Sequence, residues 1–295
     1  VSESYGAYFT SQLQRASQNL GIEVDFIASH EEYRNGFFTP AIERSLARLQ
    51  EAKAALESIS GRQLEDSWSP LQIMESGRLK KRAFISIDTQ HKTLKYLDAE
   101  GTEKQVRYDE GSVKLDWRLD WPGRWWLLQI AAEPFGRDHA SSGGSYETGV
   151  QIMKDVYEAP APYPIPYDFI NLAGDTKKMS ASKGTGLDAE EGVTIMPPEV
   201  VRYLVLSVPP KKRIYFDPVE GVVKLIDEYA ALAAKSDRTA DEEQLMYICT
   251  RGNTERAVSR VPFSHLVASY QASLRDPAKT LEVIKRTEYA DVAAD

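Results

Sequence analysis

The sequence predicts an α/β fold that carries a small antiparallel β insert and leads into the start of an all-α domain. Three observations support this prediction. Apolar residues recur at helical spacing in two early segments, short alternating runs are crowded between residues 82 and 117, and only helical patterns follow Pro218. The 295 residues are enough for two ordinary domains of roughly 100–200 residues each.

The first section has the order helix, strand, helix. Apolar and aromatic residues recur every three or four positions from Tyr5 to Leu20, and Gly21 stands where such a helix would end. Ile22–Ala28 alternates and predicts a short strand. A long amphipathic helix is expected between Pro40, in its first turn, and Gly61. This order is typical of an α/β unit.

The middle of the chain is interrupted by an insert. Four alternating runs separated by turn residues predict a small antiparallel sheet, after which a helix at Tyr146–Tyr157 and a strand at Phe169–Leu172 resume the α/β pattern. The predicted insert strands lie near 83–88, 93–98, 104–108 and 112–117. We therefore expect one domain over residues 1–217, with the insert at about 67–117, and an incomplete helical domain over residues 218–295.

Composition excludes several classes of protein. The longest apolar run, Trp125 to Ala132, contains Gln129 and is far shorter than the ~20 residues that cross a bilayer. Cys249 is the single cysteine, so a disulfide framework and a cysteine-built zinc site are excluded. We expect a soluble cytoplasmic protein without a membrane partner. The net charge of −8 argues weakly against extensive nucleic-acid wrapping but not against local basic patches.

A loop after the Phe169–Leu172 strand has the chemistry of a phosphate site. Thr176–Gly186 contains three lysines, two serines and two glycines. Ammonium groups, hydroxyls and exposed backbone N–H groups each bind phosphate through charge-assisted hydrogen bonds. A solvated basic loop is the simpler interpretation of most such clusters, but here the order of the residues is informative.

Lys178-Met-Ser-Ala-Ser182, followed by Lys183-Gly184, resembles the KMSKS signature of class I aminoacyl-tRNA synthetases. The resemblance implies a loop that closes over ATP and stabilises the pyrophosphate leaving group. It assigns catalytic roles to Lys178, Ser180, Ser182 and Lys183, and ATP contacts to Lys178, Met179 and Lys183. Ala181 departs from the lysine that is usual at its position, and Lys183 is placed to reach the same phosphates.

A second stretch narrows the resemblance. Leu115–Trp126, read with Glu133–Gly149, resembles the class I lysyl-tRNA synthetase family, and the similarity extends from Tyr5 to about Asp217. It implies a nucleotide-binding Rossmann-like catalytic domain that activates lysine with ATP and Mg²⁺ as co-substrates and transfers it to the 3′ end of a tRNA. The resemblance assigns Trp117, His139 and Tyr167 to lysine, and Gly136, Asp138, Gly143 and Gly144 to ATP.

The residue types in this stretch suit such a substrate. A lysine side chain needs aromatic walls for its stem and a carboxylate near its ammonium group. Further candidate walls are Trp121 and Tyr146, and candidate carboxylates are Asp116, Asp120, Glu133 and Asp138. Trp125 and Trp126 are better interpreted as core. A satisfied buried histidine is the alternative for His139.

The Gly143-Gly144 pair precedes the predicted helix at Tyr146, with Ser145 as the expected N-cap. A glycine turn that leads into a helix N-terminus binds anions well, although ordinary turns have the same composition. A basic cluster, Pro209–Arg213, joins the two expected domains, and Lys211, Lys212 and Arg213 are candidates for tRNA phosphates. A solvated linker explains that cluster equally well.

The resemblance also predicts what is missing. Class I synthetases carry an H-x-G-H signature, whereas the four histidines, His30, His91, His139 and His265, have no such spacing. We therefore expect an interior section of a longer protein, cut at Val1, with little activation activity by itself and no zinc in the insert. A non-catalytic relative that binds lysine, nucleotide or RNA, and a glutamate-type class I synthetase, remain alternatives. The sequence leaves the oligomeric state open.

Overall fold

The computed structural model describes residues 5–66, 68–174, 189–253 and 259–292. The chain divides into two compact units, one within Phe26–Tyr167 and one that combines Val1–Asp25 with Asp168–Asp295. Both units contain helices and strands, so the protein has mixed α/β content. Within the described part of the chain, no helix combines the length and the hydropathy needed to cross a membrane.

Helices and strands of the described residues are numbered separately in chain order. The helices are α1 (Tyr5–Asn19), α2 (Ser29–Arg34), α3 (Thr39–Ala47), α4 (Leu49–Ser60), α5 (Trp117–Leu128), α6 (Ser145–Ile152), α7 (Ala189–Ile195), α8 (Pro198–Leu206), α9 (Glu220–Ala234), α10 (Ala240–Thr250), α11 (Phe263–Ala272) and α12 (Pro277–Ile284). The strands are β1 (Leu71–Glu75), β2 (Arg78–Lys81), β3 (Ala83–Asp88), β4 (Thr93–Leu97), β5 (Glu103–Arg107), β6 (Val113–Leu115), β7 (Ala132–Gly136), β8 (Tyr163–Tyr167), β9 (Ile170–Leu172) and β10 (Ile214–Phe216). A 3₁₀ turn at Arg137–Ala140 follows β7, and a π-helical turn at Met153–Tyr157 extends α6.

Residues 71–115, where the sequence predicts the insert, form two small antiparallel sheets. β3, β4 and β5 form one, with Leu94 opposite both Ile87 and Val106, and β2, β1 and β6 form the other. The four predicted strands are confirmed, except that Trp117, the predicted end of the last one, begins α5 after its N-cap, Asp116. The strands β1 and β2 were not predicted. β6 pairs with β1 rather than with its neighbour in sequence, β5. Strand partners so far apart along the chain are not encoded in local alternation.

The predicted long helix between Pro40 and Gly61 is two helices. Arg48 leaves helical geometry, at φ −116° and ψ 38°, and separates α3 from α4. The break is accompanied by a shared ion pair: the guanidinium groups of Arg44 and Arg48 both contact the carboxylate of Glu158. Gly61 ends α4 at a φ of +67°, as the sequence predicts.

The strand predicted at Ile22–Ala28 is wrong. These residues form neither helix nor strand, and Ile22, Val24 and Ile27 are exposed. An alternating pattern becomes a strand only when a neighbouring strand satisfies its N–H and C=O groups, and no described strand pairs with this segment. The segment instead links α1 to α2.

A β–α–β unit closes the Phe26–Tyr167 unit. β7 and β8 are parallel neighbours, with Gly136 opposite Tyr167 at their carboxyl ends, and α6 lies between them in sequence. Helix packing beside the strands buries Leu119, Trp125 and Phe135. The parallel register brings the segment after β7 and the end of β8 to one edge of the sheet, where open α/β sheets bind their ligands.

The second unit has a separate core. β9 and β10 form a parallel pair, and buried side chains from the neighbouring helices include Val200, Tyr229 and Met246. The α1 helix belongs to this unit, since the Arg202 guanidinium donates to the carbonyl oxygen of Leu20 just after it. The helical pattern predicted after Pro218 is confirmed by α9 to α12.

Candidate active site

The Phe26–Tyr167 unit holds an aromatic cluster at the start of α5. Trp117 and Trp121 are four residues apart, so they lie on one face of the helix, and their rings stack at 5.2 Å with 16° between the planes. Trp121 is buried, whereas 44% of the Trp117 surface is exposed. The pair thus presents one indole to solvent and supports it with another.

His139 completes this cluster from the 3₁₀ turn after β7. Its ring centroid lies 5.4 Å from that of Trp121 and 6.0 Å from that of Trp117. The imidazole is only partly buried and has no hydrogen-bond partner among the described residues. The alternative of a satisfied buried histidine therefore does not describe it, and its ring nitrogens are available to a ligand.

Glu133 places a carboxylate beside the Trp121 indole. Trp121 Nε1 donates a hydrogen bond of 3.0 Å to Glu133 Oε1. This bond holds the carboxylate against the aromatic cluster, and Oε2 of Glu133 has no hydrogen bond to any described residue. A fixed carboxylate next to an exposed aromatic face is the combination that binds a primary ammonium group on an apolar stem.

Two of the other candidate carboxylates have partners within the protein, one in the core and one at the surface. Asp120 is fully buried, accepts a 2.7 Å hydrogen bond from Tyr33 Oη and pairs with Arg124. Burial and the Asp120 carboxylate raise the pKa of Tyr33 far above its ordinary value, so the phenol remains a donor. Asp116 pairs with Lys81 at 2.7 Å. Asp138 is exposed, so it and Glu133 remain available.

Tyr167 and Gly136 share the carboxyl edge of the β7–β8 sheet. They are register partners in the parallel ladder, and adjacent strands lie about 4.8 Å apart. Tyr167 is 44% exposed. The sheet therefore brings together one residue assigned to lysine and one assigned to ATP, with Asp138 and His139 in the turn that follows Gly136.

The glycine turn before α6 is built for close backbone approach. A Cβ on Gly144 would lie 2.5 Å from the carbonyl oxygen of Ser141, and one on Gly143, at φ +70°, would lie 2.9 Å from that of Ile59. Gly144 is the N-cap of α6, so the expected N-cap at Ser145 is wrong by one residue. The turn is too tight for any side chain at either glycine.

Glu147 modifies the anion site expected at this helix end. Its Oε2 accepts a 2.8 Å hydrogen bond from the Gly143 N–H, so a carboxylate of the protein already occupies one of the backbone donors. A phosphate at this turn would use the remaining N–H groups of the first turn, or displace Glu147.

Arg118 is a cation near this helix that no motif in the sequence identifies. Its Nη1 donates to Thr148 Oγ1 at 2.7 Å, and Thr148 in turn donates to the Gly144 carbonyl oxygen. Burial lowers the pKa of Arg118, and the neighbouring charge of Arg62 lowers it further. The only signal in sequence is its place directly after Trp117.

The residues of the KMSKS-like loop, Lys178, Met179, Ser180, Ser182 and Lys183, lie outside the described residues. The strand that precedes the loop, β9, is confirmed and belongs to the second unit. The loop assignments therefore rest on sequence.

The basic cluster after α8 is divided by an ion pair. Arg213 binds Oδ1 of Asp168, whose side chain is 4% exposed, at 3.2 Å, although the two residues are 45 positions apart in sequence. Lys211 and Lys212 are exposed, and neither forms an ion pair with a described residue. The two lysines are therefore the cluster's available cations. Across the described ranges, no group of three or more His, Cys, Asp and Glu side chains could hold a metal ion.

Comparison with known proteins gives a consistent result. Residues 1–251 match the family model described as tRNA synthetases class I (K). The chain is 35% identical over 293 residues to Lysine–tRNA ligase 1 of Methanosarcina acetivorans. The aligned region covers 97% of the chain and 54% of that protein. It is also 34% identical to the Lysine–tRNA ligase of Archaeoglobus fulgidus and 31% identical to that of Thermococcus kodakarensis, with 97% and 96% of the chain covered.

The chain spans about half the length of these curated relatives. The resemblance read from the KMSKS-like loop and from residues 115–149 is confirmed, because the family model covers both stretches. The chain belongs to the class I (K) family of tRNA synthetases.

Proposed function

We propose that this chain contributes the lysine- and ATP-binding parts of a lysine–tRNA ligase. The cluster of Trp117, Trp121 and His139, with the Glu133 carboxylate held on the Trp121 N–H, is the observation that carries the proposal. The names of the similar proteins favour lysine over glutamate as the amino acid, because all three relatives named above are Lysine–tRNA ligases.

In this proposal the substrate's aliphatic stem packs on the exposed face of Trp117. Glu133 accepts from the ammonium group, which also gains cation–π attraction from the indoles. Tyr167 and His139 bound the same pocket. An acidic substrate side chain would meet the Glu133 charge instead, and that repulsion gives the pocket its specificity.

ATP is proposed to bind at the carboxyl edge of β7 and β8. Gly136, Asp138, Gly143 and Gly144 would contact the nucleotide, with the phosphates toward the first turn of α6. The β7–α6–β8 unit supports a Rossmann-like fold for the catalytic domain. Mg²⁺ would arrive with ATP as part of the substrate.

The KMSKS-like loop is proposed to act on the leaving group. Lys178 and Lys183 would neutralise the pyrophosphate as the lysine carboxylate attacks the α-phosphate, with Met179, Ser180 and Ser182 holding the loop in place. The acyl group then passes to the 3′ end of the tRNA. Lys211, Lys212 and Arg213 are proposed phosphate contacts for that tRNA.

We also propose the domain boundary near residue 217. β10 ends at Phe216, and every described element from α9 onward is helical, which supports a catalytic domain over residues 1–217, with its insert at about 67–117, and a helical domain from 218. The proposed reaction supplies ribosomes, so we place it in the cytoplasm.

The decisive experiment is aminoacylation by the complete product of the gene that encodes this chain. Lysine should be attached to tRNA with ATP consumed, and glutamate should not replace it. A Lys178→Ala change should lower the rate of lysine activation by about 10²-fold or more while changing lysine affinity little, because the loop acts in the transition state. Lys154→Ala, on the π-helical turn, is the matched control.

A protein that binds lysine and tRNA but forms no lysyl-tRNA would instead be the non-catalytic relative. Charging of glutamate would establish the glutamate-type alternative. Equal losses of activation rate and of lysine affinity in Lys178→Ala would assign the loop a structural role.

A further inference from the structure

A cavity of about 690 Å³ lies in the second unit, outside the proposed active site. It is bordered by α8, α9 and α10. Val200 and Met246 are buried in its floor, and Ile226, Ala230 and Ala233 continue that apolar surface along α9. Pockets of this size hold ligands of several hundred cubic ångströms.

Arg202 lines this cavity without an ion-pair partner. Its Nε donates to the Cys249 carbonyl oxygen at 2.7 Å and its Nη1 to the Leu20 carbonyl oxygen, and no described carboxylate lies within ion-pair distance. Burial lowers the pKa of Arg202, the charge of Glu199 opposes that shift, and Arg251 adds repulsion. The guanidinium is thus held in place by neutral carbonyls, and a bound anion would supply the missing counter-charge.

Three of the five charged residues that line the cavity are basic. Arg202, Arg238 and Arg260 line it together with two carboxylates, Glu199 and Glu243, in a chain of net charge −8. Glu243 contacts Arg238 at 3.3 Å. The local charge therefore favours an anionic ligand over a cationic one.

Tyr247 stands at the rim as a supported aromatic surface. It is 66% exposed, and the Gly252 backbone packs beside it so closely that a Cβ on Gly252 would lie 3.1 Å from Tyr247 Cε2. No other aromatic ring of the described residues contacts it. An exposed ring held from one side is a stacking platform for a planar group.

We propose that this cavity binds one unpaired nucleotide of the tRNA substrate, with the base between Tyr247 and the apolar floor and its phosphate at Arg202. An apolar pocket, an aromatic platform and an uncompensated arginine are the three features by which proteins hold unstacked RNA bases. The inference rests on the proposed function, because that function supplies the RNA. It adds a contact in the helical part of the chain, distinct from the Lys211–Arg213 cluster.

Replacement of Tyr247 tests the stacking contact. In the complete gene product, Tyr247→Ala should raise the dissociation constant for the cognate tRNA about 10-fold, because stacking one base on an aromatic side chain contributes roughly 1–3 kcal/mol. Tyr270→Ala on α11, at 41% exposure and outside the cavity lining, is the matched control and should change tRNA affinity less than 2-fold. Circular dichroism and thermal unfolding check that both variants fold.

A second variant fills the cavity with a large side chain on α9. Ala233→Trp should weaken tRNA binding to a similar extent. Adenosine or uridine 5′-monophosphate alone should bind the wild type only at millimolar concentration, because the rest of the RNA provides most of the affinity. Unchanged tRNA affinity in both folded variants overturns the inference, as does tight binding of a free mononucleotide. Hydrogen exchange that shows the cavity already covered by a protein segment also overturns it.

Failure of the proposed function has a different readout. If the wild-type protein does not charge tRNA with lysine, the function fails whatever Tyr247 does. If the wild type charges tRNA and the Tyr247 and Ala233 variants bind it normally, the cavity assignment alone fails.

Discussion

Trp121 connects the proposed substrate pocket to the core. One face of its indole stacks on Trp117, its edge meets Phe135 at 90°, and its N–H holds Glu133. Aromatic pairs contribute about 0.5–1.5 kcal/mol beyond the area they bury, and hydrogen bonds to charged groups about 1.5–3 kcal/mol. A single buried residue therefore fixes both the wall and the carboxylate of the pocket.

The first prediction concerns the Glu133 charge. Glu133→Gln retains an acceptor for Trp121 Nε1 but removes the charge, so lysine should bind about 10–100-fold more weakly in the complete gene product, measured by titration calorimetry. Glu103→Gln on β5, an exposed glutamate paired with Lys95, should bind lysine as the wild type does. Unaltered affinity in Glu133→Gln would show that the ammonium group binds elsewhere.

Cys249 is a fully buried thiol beside the cavity proposed for RNA. Burial raises its pKa to about 11 from an ordinary value near 9.0, because the thiolate loses its hydration. The folded protein therefore holds the thiol proton more tightly than the unfolded chain does. The resulting contribution to stability is complete below pH 9 and is lost as the pH rises toward 11.

Two measurements check this second prediction. Alkylation by iodoacetamide at about pH 8.5 should be at least about 100-fold slower in the native protein than in guanidinium. In the native protein only the small population of molecules that transiently exposes the thiol can react. The free energy of unfolding should also fall between about pH 9 and 11 more steeply for the wild type than for Cys249→Ala. Rapid native alkylation would mean that the thiol is accessible.

At the scale of elements, the turn between β7 and α6 illustrates how backbone geometry selects glycine. The φ of Gly144 is an ordinary −73°, so conformational freedom does not explain this glycine. The carbonyl oxygens of Ser141 and His139 would lie 2.5 and 2.7 Å from a Cβ. Both carbonyls belong to the backbone that positions His139, so the strain from a side chain would reach the pocket.

The third prediction follows from that contact. Gly144→Ala should lower the free energy of unfolding by about 1–3 kcal/mol and raise the KM for ATP in the complete gene product, measured by urea titration and by aminoacylation kinetics. Gly6→Ala in α1, where nothing lies within 4 Å of the new methyl group, should be neutral or stabilise by up to about 1 kcal/mol. Equal stability of the two variants would contradict the close approach at Gly144.

The Pro209–Arg213 segment shows that a run of like charges does not act as one element. Arg213 is bound to Asp168, which lies 45 positions away in sequence, and this pair raises the pKa of Arg213. The two lysines before it are held in a turn by the hydrogen bond from Lys212 N to the Pro209 carbonyl oxygen at 2.9 Å. Only the lysines are therefore expected to respond to phosphate.

The fourth prediction is a change in salt dependence. The double variant Lys211→Ala/Lys212→Ala should reduce the slope of log binding constant against log salt concentration by about 1.5 for tRNA, because each phosphate contact contributes roughly 0.7–0.9. The control, Lys279→Ala/Lys285→Ala, removes two lysines that contact Asp276 and Glu282 and should leave the slope unchanged. Equal slopes for the wild type and both variants would exclude the segment from the RNA interface.

At the scale of the whole molecule, the β3–β4–β5 sheet is joined to a helix by side-chain hydrogen bonds. Tyr108 Oη and Lys92 Nζ both donate to Glu43 Oε1, at 2.6 and 2.7 Å, and so join the β3–β4–β5 region to α3. The fifth prediction is that elemental analysis finds less than about 0.1 equivalent of zinc per chain, a tenth of what one structural site would hold. EDTA should also leave the thermal unfolding of the protein unchanged. Stoichiometric zinc, or unfolding by chelator, would contradict it.

The sequence by itself determined the kinds of element and the chemistry of the motifs. Helical spacing predicted a helix from Tyr5 to Leu20, and the glycine positions predicted where α1 and α4 end. These are local properties, because the side-chain period and the conformational freedom of glycine act within a few residues. The class I (K) family could likewise be identified from two short stretches.

The tertiary structure alone decided which groups remain available for function. Asp120 and Glu133 were equal candidates in sequence, but Tyr33, 87 positions away from Asp120, takes its carboxylate into the core, while Trp121 holds Glu133 at the pocket. Ile22–Ala28 alternates as a strand does and has no described strand beside it. Counter-ions, strand partners and cavities are formed by residues that are distant in sequence. A local sequence pattern does not show which distant residues will be in contact.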